Sequence, residues 1–294
     1  MESKSGTYDL AVAYRIYPGV SKAAVGLPFS DSKYQLSEAC LKSFVESLGH
    51  LRVKIWALLD GCPAEYERLF RKYVNPANLV VLSLERVGNR ATFAKQIDIL
   101  LEQRDSDLVY FAEDDYFYLP DKFPAMLDFL TAHPDAHFIT PMDCMHCYTL
   151  DFHRRREWIK IEALHHWRTV KSTCLTFLTR KCTLLECESV FRSYSRGNDD
   201  CSMWLSLTKH QVFNPLAFSR YLLRRRFGWN MIGKAWLYGW RSILFGSERK
   251  VWAPIPGIAT HLGRDSLSPN IDWCALMQQS ATDRQSERSV PTAF

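Results

Sequence analysis

Hydrophobic and polar positions change their period repeatedly along the chain, and each change marks the end of one element and the start of another. Residues 9–14 are a short apolar run of buried-strand length, after which Leu36, Cys40, Phe44 and Leu48 recur every four residues, as one helix face requires. The alternation continues with strand 53–59, helix 64–73, strand 79–84, helix 91–103 and strand 108–112. A helix over 123–132 follows, with Phe123, Met126, Leu127 and Leu130 on one side, then a strand over 137–140. Strands and helices alternating with short joins predict an α/β fold on a mostly parallel, doubly wound sheet, whose ligands bind at the carboxyl ends of the strands. From residue 167 the pattern breaks. Residues 167–179 predict one long strand and 201–208 a helix; the remainder reads as helical or irregular, with many aromatic and basic residues.

Composition narrows this picture. With 294 residues, 47% apolar and 13% aromatic, the chain can bury a full core as one elaborated domain. A charged fraction of 23% with both signs interspersed excludes long disorder. Only residues 1–7 and 282–294, rich in Ser, Thr, Gln and charge, read as loose tails. The nine cysteines are odd in number and mostly embedded in apolar runs, which suits reduced thiols in a cytoplasmic protein. Cys144 and Cys147, with His146 between them, have the spacing of a zinc or redox pair, but no second ligand pair at finger-like spacing follows. No basic segment followed by an apolar run opens the chain, and no stretch reaches the roughly 18 uncharged apolar residues of a membrane span. The expected location is therefore cytoplasmic, without an anchor of the chain's own.

The most informative stretch is Leu108 to Pro120, where Glu113, Asp114 and Asp115 end a buried strand. Three adjacent carboxylates there repel one another and lose hydration, a cost that a divalent cation offsets; hard oxygen ligands suit Mg²⁺ or Mn²⁺. The same residues could instead be a solvated turn opening the next helix. Their place at the carboxyl end of a strand in a doubly wound sheet favours the ligand site.

This motif, with its following proline, resembles the Asp-x-Asp motif of GT-A fold glycosyltransferases, in particular those of family 2. The resemblance implies a Rossmann-like GT-A sheet, with residues 8–180 forming the nucleotide-sugar-binding core and 181–281 the acceptor side of the same domain. Asp115 would hold Mn²⁺ or Mg²⁺, with Asp114 among the donor contacts. Glu113, standing where the family has its first Asp, would face the ribose or a metal-bound water. Tyr14-Arg15 ends the opening strand, where such enzymes begin to cradle base and diphosphate. Asp60-Gly61 resembles the family's base-contacting Asp-Gly. Gly88-Asn89-Arg90, ahead of the helix bearing Lys95, looks like its glycine-led loop and basic helix, and both helix N-termini and cations suit a diphosphate.

Gly197-Asn198-Asp199-Asp200 is similar to the family's x-Glu-Asp motif, which implies Asp200 as the base that deprotonates an acceptor hydroxyl and Asp199 as a neighbouring acceptor contact. Either Asp would also serve as a plain helix N-cap. Ala259 to Arg264 resembles the late segment whose His261 completes the metal shell, with Arg264 facing the diphosphate; a histidine ligand tilts the metal toward manganese. The implied activity is metal-dependent transfer of a sugar from a nucleotide-sugar donor to a glycan or lipid-linked hydroxyl, with inversion, in cell-surface polysaccharide or lipopolysaccharide assembly. A nucleotidyltransferase of similar fold and a non-catalytic membrane-binding scaffold are the alternatives, and the oligomeric state stays open.

Residues 218–249 interleave Arg220, Arg224, Arg225, Arg226, Lys234, Arg241 and Arg249 with Tyr221, Phe227, Trp229, Trp236, Tyr238 and Trp240. Cations and aromatics together suit peripheral contact with an anionic membrane on its inner face, or a helical subdomain packing its rings inward. A net charge of +5 is too modest to favour nucleic acid as the partner.

Overall fold

The computed structural model describes residues 7–19, 26–153, 157–162, 164–214, 228–263 and 266–289. The first half follows the alternation predicted from periodicity: β1 (Leu10–Ile16), α1 (Lys33–Ser47), β2 (Val53–Asp60), α2 (Glu65–Tyr73), β3 (Leu79–Leu84), α3 (Asn89–Glu102) and β4 (Leu108–Glu113). Local chemistry fixes the helix ends. Ser32 caps α1 by accepting from the Gln35 N–H, and α2 opens on Glu65 and Glu67 and closes on Arg71 and Lys72, each charge matched to the helix dipole.

Then come β5 (Tyr116–Tyr118), α4 (Pro124–Ala132), β6 (Phe138–Ile139), α5 (His146–Thr149), β7 (Ile159–Glu162), β8 (His165–Val170), β9 (Phe177–Arg180), α6 (Lys181–Phe191) and α7 (Asp200–Thr208). The last elements are α8 (Gly228–Phe245), β10 (Val251–Ile255), β11 (Ala259–His261) and α9 (Trp273–Ser289).

Among the described residues, nine strands form one sheet in the order β3-β2-β1-β4-β9-β6-β10-β8-β7, and β11 and β5 pair separately. The β3-β2-β1-β4 run is parallel, the arrangement of a Rossmann-like nucleotide-binding half. Beyond β4 the sheet is not the mostly parallel one expected: β9 runs antiparallel to β4 and β6, and β8 antiparallel to β10 and β7, so the whole is mixed. The strand expected over 167–179 is two strands, because the chain between them spends its polar groups off the ladder. Thr173 donates to Thr140, Thr176 donates to Glu113, and the Lys171 and Cys174 carbonyls accept from Thr208 and Trp204. The late segment expected to be helical or irregular contains β10 and β11, with Pro254 inside β10; a proline there breaks the sequence signal of a strand. Helix α9 runs through Ser289, into the expected tail, because Trp273 and Met277 anchor it on the outer side of α1 against Leu36, Ala39 and Cys40.

Helices cover both faces of the sheet. Along β1, Leu10, Val12, Tyr14 and Ile16 join the core beneath α1, α2 and α4, while Ala11 and Ala13 join the core beneath α3, α6 and α7. Helix α8 packs on α7 through Ile232, Ala235 and Ile243 against Leu205. At Gly239 a Cβ would stand 2.2 Å from the Ser206 hydroxyl oxygen, so the close approach of the two helices needs the glycine. All nine cysteines are free thiols, and no described helix is long and apolar enough to cross a membrane.

The partly buried His137 is expected to make the fold acid-sensitive. Burial, reinforced by Arg249, Lys250 and Arg180, holds the His137 imidazole down to about 4, and its Nδ1 accepts the Lys250 N–H at 3.1 Å. The unfolded chain, with histidine near its ordinary value of about 6.5, binds that proton first. Stability from His137 is thus complete above pH 6.5 and is expected to be lost as pH falls toward 4. Thermal melts of wild type and His137→Gln across pH 4–8 check this. The wild type should lose more Tm than the variant between 6.5 and 4, and parallel curves would refute the assignment.

Candidate active site

The parallel half of the sheet reverses its strand order at β1 and β4, and ligands of such sheets bind at the carboxyl ends of the strands at that point. Arg15 and Glu113 end these two strands in register with each other, and they form an ion pair there. Arg15 also donates to the carbonyl of Asn89 at 3.0 Å and to its side-chain oxygen, and stacks over Phe93. Asn89 in turn donates to the Tyr194 hydroxyl at 3.1 Å, so β1, β4, the start of α3 and the turn before α7 meet at one point.

His261 reaches this point from 146 residues away. The two-stranded β5–β11 sheet pairs Tyr116 with His261 and Phe117 with Thr260, and the Leu262 N–H donates to the Asp115 carbonyl at 2.7 Å. That ladder brings His261 Nε2 to 3.2 Å from Asp115 Oδ2, with the imidazole edge-on to the Tyr116 ring. Burial opposes charging His261, but the adjacent Asp115 carboxylate overrides it and raises the imidazole to about 9. Burial likewise pushes Asp115 up, and His261, with Lys33 and Arg15, more than reverses this.

The other carboxylates of the cluster have cations as well. Lys33 lies 2.6 Å from Asp114, which also accepts from Ser37. Lys234 of α8 lies 2.8 Å from Asp199. Asp200 differs. It begins α7, accepts only the Cys201 N–H at 2.6 Å, and has no salt-bridge partner among the described residues. Burial raises its pKa above the ordinary carboxylate range, and the charges of Glu113 and Asp199 add to that. Burial raises Asp114 as well, but Asp114 is held by Lys33, and a raised carboxylate without an ion-pair partner among the described residues is suited to accept a proton.

The residues also fit a divalent cation held jointly with a ligand. Asp115 Oδ1 is buried and has no hydrogen-bond partner, an expensive state for a carboxylate oxygen and a natural position for a metal bond. Asp115 and His261 could supply two protein ligands, and no described group of three or more His, Cys, Asp or Glu side chains could hold a metal by itself. Phosphate oxygens would complete such a shell, as is usual where one or two carboxylates bind the ion.

The sequence matches no family model and no curated protein. Among solved structures, the chain is similar to S. aureus TarS 1–349, with a TM-score of 0.44 and 11% identity over 80% of this chain and 81% of that one. It is also similar to the same TarS fragment in complex with UDP, with a TM-score of 0.42 and 13% identity over 67% of this chain and 54% of that one. A third likeness is to the mannosyltransferase PcManGT from Pyrobaculum calidifontis in complex with GDP-Man and Mn²⁺, with a TM-score of 0.32 and 12% identity over 47% of this chain and 38% of that one.

Not every residue singled out from the sequence joins this cluster. Tyr14 points to the opposite side of the sheet, with its ring between Phe44 and Phe70 and its buried hydroxyl unpartnered, because side chains alternate along β1. Asp60 commits both oxygens to the Val87 and Gly88 N–H groups at 2.7 and 2.8 Å, which fixes the glycine-led turn from below. Asp114 turns inward to Lys33 and Ser37. Arg90 is exposed and lies near Tyr194, whereas Lys95 occupies the solvent face of α3. Arg264 lies outside the described residues, as do Arg220, Tyr221, Arg224, Arg225, Arg226 and Phe227. Lys33, Ser37, Thr176 and Tyr194 complete the network without having been singled out; each is an ordinary residue in an unremarkable context, recruited by tertiary packing.

Proposed function

We propose that this chain is a metal-dependent glycosyltransferase that moves a sugar from a nucleotide-sugar donor to a hydroxyl of a glycan or lipid-linked acceptor, with inversion. The observation that carries the reading is the division of labour at the ends of β4 and α7: Asp115 and His261 pair beside an unsatisfied carboxylate oxygen, while Asp200 has no ion-pair partner among the described residues. Residues 8–180 then serve as the donor-binding core and 181–281 as the acceptor side.

Asp115 and His261 would hold Mn²⁺ or Mg²⁺ against the donor diphosphate. Such an ion neutralises the negative charge that develops on a departing diphosphate. Glu113, steadied by Arg15 and Thr176, presents an oriented carboxylate to the ribose side. Asn89 and Arg90, at the start of α3, offer a helix N-terminus and a cation to the phosphates. Asp200 takes the proton of the acceptor hydroxyl as its oxygen attacks the anomeric carbon, and Asp199, held by Lys234, contacts the acceptor. Asp200 is what sets this reading apart from a nucleotidyltransferase, whose chemistry has no use for a proton-accepting carboxylate on the acceptor side.

The test is release of nucleoside diphosphate from UDP-, GDP- and dTDP-sugars, with acceptor extracts, in Mn²⁺, in Mg²⁺ and in chelator. Release with one donor that stops in chelator is expected; release of pyrophosphate from a nucleoside triphosphate instead would sink the reading in favour of nucleotidyl transfer.

The acceptor side also supports peripheral contact with an anionic membrane. Helix α8 exposes Leu237, Trp240, Leu244 and Phe245, and Arg241 lies over the Trp240 ring. Apolar and aromatic groups beside arginine suit the headgroup boundary. The full chain should sediment with vesicles containing phosphatidylglycerol, and Leu237→Ser/Trp240→Ser/Leu244→Ser should stay in the supernatant. Equal partition of both proteins would remove α8 as the contact.

A further inference from the structure

The cysteine pair ahead of and within α5 takes no part in the proposed transfer, yet it has the geometry of a reacting couple. Between β6 and α5 the backbone turns so that the Cys147 N–H donates to the Cys144 carbonyl at 3.0 Å. A turn of this kind holds its first and fourth Cα atoms within about 7 Å, close to the roughly 4.4–6.8 Å that disulfides span. The two side chains interact across the turn, each thiol shifting the titration of the other. Cys144 keeps part of its surface exposed, whereas Cys147 is buried.

The surroundings assign the two sulfurs different roles. The Cys147 S–H, against the effect of burial and with help from the His146 N–H and ring, holds the Cys144 thiol down to about 6, whereas Cys147 is pushed up by its neighbour and by burial. An accessible, thiolate-favouring cysteine with a second thiol in contact is the arrangement of an attacking and a resolving cysteine.

We propose that Cys144 and Cys147 form a reversible dithiol–disulfide couple that exchanges with small-molecule disulfides such as oxidised glutathione, with Cys144 as the attacking sulfur. The Cys144 thiolate attacks one sulfur of the small disulfide, forming a mixed disulfide and expelling one thiolate, which takes up the proton Cys144 has lost. The Cys147 sulfur then attacks the Cys144 sulfur, and its proton leaves with the second thiol. Two protein thiols are oxidised by two electrons, and one small disulfide is reduced to two thiols.

The sequence makes the test direct, because trypsin releases residues 123–154 as one peptide holding Cys144, Cys147 and no other cysteine. The reduced full chain is held at pH 7 in mixtures of reduced and oxidised glutathione, quenched in acid, alkylated, digested and weighed. The expected result is a peptide two hydrogens lighter that escapes alkylation and regains both labels after dithiothreitol. Cys147→Ser should stop at a glutathione adduct on Cys144, and Cys144→Ser should leave Cys147 open to alkylation. The exposed Cys182 reports that the oxidant worked. A wild-type peptide alkylated on both cysteines while Cys182 carries glutathione would overturn the proposal, and so would a Cys147→Ser protein whose Cys144 stays unmodified under those conditions.

Discussion

Asp115→Ala is expected to lower sugar transfer by about 10³-fold or more, equivalent to about 4 kcal/mol of lost transition-state stabilisation. The size follows from what Asp115 does at the end of β4. Its Oδ2 faces His261, and its Oδ1 is the buried, unsatisfied oxygen available to a cation. One protein ligand remains where there were two, so added Mn²⁺ should rescue the variant poorly even at high concentration. The fold should survive, because the β5–β11 ladder and the Leu262 bond to the residue-115 carbonyl are backbone interactions. Full activity in Asp115→Ala, measured under saturating donor and Mn²⁺, would remove the metal from the mechanism.

The second large effect separates chemistry from donor binding. Asp200→Asn is expected to cut kcat by about 10²–10⁴-fold while leaving the donor KM nearly unchanged, the pattern for loss of a general base. Asparagine still accepts the Cys201 N–H, so the start of α7 should be preserved and a structural explanation of the loss excluded. The pH profile carries the sign. Burial, with Glu113 and Asp199, raises the Asp200 pKa, so kcat of the wild type should fall on the acid side at a pH above the ordinary carboxylate range as the base becomes protonated. Residual activity of the variant should lack that limb. Asp199, already paired with Lys234, should tolerate Asn far better. Equal losses at both positions would make the segment a positioning element and leave the base unassigned.

Most of the parallel half was legible in the sequence, because β1 to β4 and α1 to α3 each keep one period over their length. The acidic triplet was legible for the same reason: it ends a strand whose burial is visible as Leu108 to Ala112. The antiparallel half was not legible. Thr173 and Thr176 hide a loop inside an apolar-looking run, Pro254 disguises β10, and the two residues of β6 carry almost no local signal. Within the site, motif order pointed to Arg15, Asn89, Glu113, Asp115, Asp200 and His261, which the fold gathers near the carboxyl ends of β1 and β4. It could not say which side chains were already committed. Asp60 holding a turn, Asp114 bound to Lys33 and Tyr14 facing the core are facts of register and tertiary packing, and no local pattern encodes them.

The central claim is that Asp115 and His261 bind a metal together with a nucleoside diphosphate, apart from the proton transfer at Asp200. Thermal denaturation with UDP, GDP, dTDP and CMP, each with and without Mn²⁺, on wild type, Asp115→Ala and Asp200→Asn tests it most directly. The account predicts that one nucleotide raises the melting temperature only when Mn²⁺ is present, that Asp200→Asn keeps this shift and that Asp115→Ala loses it. A nucleotide shift in the wild type that ignores Mn²⁺ and persists in Asp115→Ala would contradict it.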